Sequence, residues 1–189
     1  MKYRIIINGT GGSGKDTFVN LVKDYVSEKA TISVYNISSV DLIKKAAEIL
    51  GWDGKKDEKS RKFLSDMKDL STNYNDGPIN YMVEKVHTME YFAYKTYQHI
   101  YDPRHTITFF HVREPEEIQK LKDILDKDED TKTYTMLIDA TKRINIIDSN
   151  HADANVLNYD YDIIIDNNSD IHNLEENVNK FMKEYIEVK

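Results

Sequence analysis

Gly9-Thr10-Gly11-Gly12-Ser13-Gly14-Lys15 is the stretch of this chain whose residue types and spacing speak most directly of chemistry. Glycines let a backbone curl so that successive N–H groups point inward at phosphate oxygens. A helix starting at Lys15 aims its partial positive end at the same anion. Lys15 itself adds a mobile cation for β- and γ-phosphates. The apolar run Tyr3-Arg4-Ile5-Ile6-Ile7-Asn8 comes before the loop, and Phe18, Leu21, Val22, Tyr25 and Val26 follow at helical spacing. Strand, glycine loop, lysine and helix is the order of a phosphate-binding P-loop. Gly9, Thr10, Gly11, Gly12, Ser13, Gly14, Lys15, Asp16 and Thr17 are therefore the expected ATP-binding residues. Position 16 is Asp, where such loops usually carry a hydroxyl.

The remaining candidates are cations. The chain has only five arginines, Arg4, Arg61, Arg104, Arg113 and Arg143, against many lysines. Arg113 follows a buried-type strand, where a planar fork could hold an acceptor phosphate. Arg143 lies in a polar, aperiodic stretch that reads as a closing lid, placing a cation over the γ-phosphate. Lys15, Arg113 and Arg143 are thus the candidate catalytic residues, and Lys44, Arg61 and Arg113 the candidate acceptor contacts. His151 and Asp153 could touch ligand, although solvated loop positions explain them better. The histidines have no metal-ligand spacing.

The elements that must position these groups alternate. Strands are expected at about 3–8, 31–37, 106–112, 133–138 and 161–166. Helices are expected at about 15–28, after an N-cap at Ser39, over 55–74, over 79–100, from Pro115, and over 174–185. A turn is expected at Asn75-Asp76-Gly77-Pro78, and Met82, Val86, Met89, Phe92, Ala93 and Tyr97 form a stripe that reads as core. This alternation implies α/β architecture, with a five-stranded parallel sheet and helices on both faces. Ligands then sit beyond the carboxyl ends of the strands, where the loop, Ser38, Arg113, Asp139 and Asn167 all fall.

The 189 residues suit one domain, with an acceptor-binding helical region at about 39–101 and a lid at about 140–160. A net charge of -7 argues against a nucleic-acid partner. No run approaches the roughly 20 apolar residues of a membrane span. The first strand starts at once, which speaks against a leader, and the absence of cysteine fits a reducing compartment, so the cytoplasm is expected. Oligomeric state is not legible.

The loop, with Asp16 after its lysine, resembles those of P-loop nucleoside monophosphate kinase-like proteins. Phage deoxynucleoside monophosphate kinases and animal-type phosphomevalonate kinases are similar, and dephospho-coenzyme A kinases more distantly so. Three further segments are similar: Ser39 to Lys45, with a lysine facing the acceptor; Ile107 to Arg113, resembling a strand that ends in Asp-Val-Arg; and Tyr161 to Asn168, whose asparagines would lie near the adenine. The resemblance implies ATP and Mg2+ as cofactors, Asn167 as an ATP contact, and a (deoxy)nucleoside monophosphate as acceptor. The alternatives are phosphomevalonate or a similar phosphorylated acceptor, or a nucleotide-binding sensor without kinase activity. One departure stands out: the acid of Asp-Val-Arg is His111 here. That leaves Asp16 as the best-placed carboxylate for the metal, either directly or through water.

Overall fold

The computed structural model describes residues 1–27, 32–97, 105–144 and 155–186. Its strands are β1 (Lys2–Asn8), β2 (Ile32–Ser38), β3 (His105–His111), β4 (Thr131–Asp139) and β5 (Ile163–Asp166). Its helices are α1 (Lys15–Val26), α2 (Asp41–Ile49), α3 (Glu58–Asn75), α4 (Gly77–Tyr97), α5 (Pro115–Leu125) and α6 (Ile171–Glu184). All strand pairs are parallel, in the order β2-β3-β1-β4-β5. The loop-bearing β1 is therefore central. Ile7 lies beside His111 on one side and Met136 on the other.

Strand alternation divides the core. Tyr3, Ile5 and Ile7 pack with Phe18, Val22, Phe109 and Phe181 against α1 and α6. Ile6 and Phe110 pack on the opposite face with Met82, Val86, Ile118 and Leu121 of α4 and α5. Phe18, Phe109 and Phe181 form a ring triangle with centroids 5.6–6.3 Å apart, anchoring α1 over the sheet. The helix that follows the phosphate loop is thereby fixed by burial of its apolar face.

Several local expectations are corrected. Ser39 does not cap α2: the helix starts at Asp41, whose carboxylate accepts from Ser38 N at 3.1 Å. The expected turn at 75–78 shrinks to one left-handed residue, Asp76 (φ 56°), because Pro78 fits the first turn of α4. The apolar stripe of α4 buries Met82 and Val86, but Phe92 is 62% exposed. Glu90 takes an inward position instead, drawn by Arg4, whose Nη2 lies 3.0 Å from its carboxylate. Residues 161 and 162 precede β5 rather than belonging to it.

Candidate functional site

Between β1 and α1 the chain reverses through Gly9, Gly12 and Gly14, with φ of 148°, 77° and 96°. A side chain would be strained at two of these on further grounds. A Cβ at Gly9 would come within 2.7 Å of Ile138 O, and one at Gly14 would run into Asn167 Nδ2. The Ser13 N–H donates to Thr10 O at 3.1 Å, closing the loop, and Phe18 N donates to Gly14 O at 2.9 Å, opening α1. Lys15 Nζ donates to Gly9 O (2.5 Å), Thr10 O (2.9 Å) and Ser13 Oγ (3.4 Å). The ammonium is thus gathered over the loop centre, where neutral oxygens hold it and phosphate oxygens could replace them. Loop, central strand and parallel sheet with helices on both faces make this a P-loop NTPase fold.

Beside the loop lies a cavity of about 250 Å³, lined by Gly12, Gly14, Thr17, Arg143, Asn167 and Ile171, among others. Asn167, which the resemblance would put near an adenine, is one of these lining residues. Its amide Nδ2, however, donates to Ser13 O at 2.7 Å, while its N–H donates to Asp139 O at 2.7 Å. Asn167 therefore braces the loop against the ends of β4 and β5. Arg143 sits on the turn after β4, its N–H donating to Ala140 O at 3.0 Å, and its guanidinium reaches toward Gly14. Of the 140–160 segment, residues 145–154 lie outside the described residues, and His151 and Asp153 with them.

Arg113, past the end of β3, is half-buried. Its carbonyl accepts from Asn8 Nδ2 at 2.9 Å. The same amide group donates to the Tyr161 hydroxyl at 2.7 Å, which in turn donates to Val156 O at 2.7 Å. Asn8 Oδ1 accepts from Gly9 N at 2.8 Å. One fully buried asparagine thus ties together the phosphate loop, the Arg113 corner and the returning end of the 140–160 segment. Sequence reasoning missed Asn8 and Tyr161. The available signal was a polar residue closing an apolar strand immediately before the first loop glycine. Next to Arg113, Glu114 and Glu117 both take Lys68 of α3, at 2.7 and 2.9 Å. One ammonium does not compensate two half-buried carboxylates. Glu114 stays below its ordinary range because Lys68 outweighs its burial. Burial, against the pull of Lys68 and with Glu114 adjacent, pushes Glu117 up to about 7.

Asp16 is exposed at the first turn of α1, and its Oδ1 lies 4.0 Å from His111 Nε2. Burial pulls the His111 pKa down to about 4, with Lys15 and Arg113 adding to the fall and Asp16 and Asp41 opposing it. The ring is therefore neutral at physiological pH. Lys44 and Arg61 are exposed on α2 and α3, and no hydrogen bond or ion pair among the described residues joins either to the loop. The structure brings Asn167 and Arg143 together beside Gly14, and Asp16 toward His111, a ring on which the charge of Lys15 also acts. Arg113 is tied in through its backbone.

No protein-family model and no curated protein matches the chain. Among solved structures it is similar to APE1195, with 13% identity, a TM-score of 0.50, and 96% of this chain and 93% of that chain covered. It is also similar to an APS kinase of Mycobacterium tuberculosis, with 15% identity, a TM-score of 0.44, and coverage of 96% and 98%. At such identities the likeness concerns the fold alone. No helix among the described residues is long and apolar enough to cross a membrane.

Proposed function

We propose that this chain transfers a phosphoryl group from ATP to a small phosphorylated acceptor, with a (deoxy)nucleoside monophosphate as the acceptor class. The observation that carries this reading is the placement of Lys15 Nζ over the loop centre, on Gly9 O, Thr10 O and Ser13 Oγ. Phosphoryl transfer needs positioning and charge stabilisation more than covalent chemistry. Lys15 exchanges those neutral oxygens for β- and γ-phosphate oxygens. Loop N–H groups and the amino end of α1 face the same phosphates.

The residues present fit a triphosphate. Three positive-φ glycines shape the loop, and the cavity at Thr17, Arg143 and Asn167 opens beside it for the nucleoside. Arg143, on the turn after β4, acts on the transferred group. The helical region 39–101 forms the acceptor side, with Arg113 gripping the acceptor phosphate and Lys44 and Arg61 as further contacts to it. Asp16 would hold a divalent cation, Mg2+ in the simplest case, which would supply charge neutralisation to the phosphates.

A panel of ribo- and deoxynucleoside monophosphates, with phosphomevalonate included, tests the proposal through ADP formed from ATP. ADP formation with a nucleoside monophosphate supports it, whereas turnover with phosphomevalonate alone reassigns the acceptor. ATP binding by calorimetry with no transfer to any acceptor would leave a nucleotide-binding switch.

A further inference from the structure

His111 stands at the carboxyl end of β3, level with Ile7 of β1 and Ser38 of β2. Its ring is 13% exposed, and its Nε2 is buried with no hydrogen-bond partner among the described residues. A buried imidazole nitrogen without a partner is costly and calls for a use. The nearest carboxylate is Asp16, whose Oδ1 is 4.0 Å away and whose side chain, 87% exposed, can turn without disturbing packing. Two donors, each about 2.1 Å from one ion, lie at most about 4.2 Å apart, so a single cation fits between these atoms with a small rotation of Asp16. Neither residue lines the cavity at Asn167 and Arg143.

We infer that His111 Nε2 and Asp16 form a mixed nitrogen–oxygen site for a first-row transition dication beside the bound phosphates, favouring Mn2+ over Mg2+. This rests on the nucleotide-binding reading of the loop. Magnesium is a hard ion that holds oxygen and keeps its waters. Imidazole suits transition metals, and Mn2+ shares the affinity of magnesium for carboxylate and phosphate oxygen. Two protein donors are too few for a six-coordinate dication, so the site takes its remaining oxygens from the bound phosphates and should not load without them.

The test is pulsed electron paramagnetic resonance on the full chain with Mn2+ and ADP. Echo modulation from a directly bound nitrogen is expected, and it should change to the 15N pattern when histidine is 15N-labelled. Mn2+ without ADP should show no such signal. His111→Asp, or His111→Asn if the aspartate variant does not fold, should abolish the modulation. The aspartate should also lower the Mn2+ over Mg2+ binding preference by about tenfold or more. If ADP fails to bind with either ion, the nucleotide reading fails first. If ADP and Mn2+ bind but the nitrogen modulation is absent, or survives in the His111 variant, the metal inference is overturned.

Discussion

The two ends of β1 use charge in opposite ways. Near its amino end, Arg4 is fully buried and its Nη2 lies 3.0 Å from both Glu90 and Asp128, while Lys2 reaches the same two carboxylates at 3.3 and 3.1 Å. Two cations meet two carboxylates, and Leu125 O accepts another Arg4 hydrogen bond at 3.4 Å. His87 stands close enough to complete a three-residue metal cluster with Glu90 and Asp128, but the two cations already occupy those carboxylates. At the carboxyl end, Lys15 rests on neutral oxygens and Arg143 is exposed. One end pairs its cations with buried and half-buried carboxylates, and at the other Lys15 sits on loop oxygens. Residue type does not separate the two roles, because arginine serves both.

The largest effect expected from breaking this comparison is at the amino end. Arg4→Met leaves Glu90 buried without its main partner and should cost about 3–5 kcal/mol of stability, the usual penalty for a broken buried pair. Denaturant unfolding measures it, and nucleotide affinity of the folded fraction should be unchanged. A stable Arg4→Met protein would mean that the cluster contributes little.

Lys15→Ala should do the reverse. Turnover should fall about a hundredfold or more, the scale of losing one cation aimed at transition-state charge. The melting temperature should move little, since Lys15 is not part of either apolar cluster of the core. Near-normal turnover in this variant removes the phosphate role of the loop.

Arg113→Lys sharpens the division within the carboxyl end. Lysine keeps the charge but loses the fork, so the acceptor KM should rise by about tenfold while that of ATP stays close to its original value. Separate saturation curves decide it, and a rise in the ATP constant alone would move Arg113 to the donor side.

The smallest effect concerns Glu117, whose pKa is pushed from 4.5 up to about 7 by burial against the pull of Lys68. The folded chain holds a proton there that the unfolded chain releases above its ordinary range. That contribution to stability is present at low pH and is lost as pH rises through about 7. Glu117→Gln should therefore flatten the decline in melting temperature between about pH 5 and pH 8. An unchanged slope would show that the proton is not held there.

Much of the fold was legible because its signals are short-range. The apolar run into Gly9, the glycine spacing and the helical period from Phe18 depend on neighbours within a few residues, and the structure places β1, the loop and α1 accordingly. The α3–α4 junction was misread because a single left-handed Asp76 does the work expected of a four-residue turn. Phe92 was misassigned because an aromatic residue at helical spacing looks like core until Arg4 draws Glu90 inward instead.

The sequence by itself determined the glycine loop on which the proposed phosphate site rests and that parallel strands would carry it, since backbone curvature and side-chain period are properties of contiguous residues. Only the tertiary structure decided which arginine is spent on a partner, that Asn167 turns its amide to Ser13, and that His111 faces Asp16. These pairings join residues 86, 154 and 95 positions apart (111 − 16 = 95 for the last). Parallel register and helix packing set such distances, and neither is written in any local run of the chain.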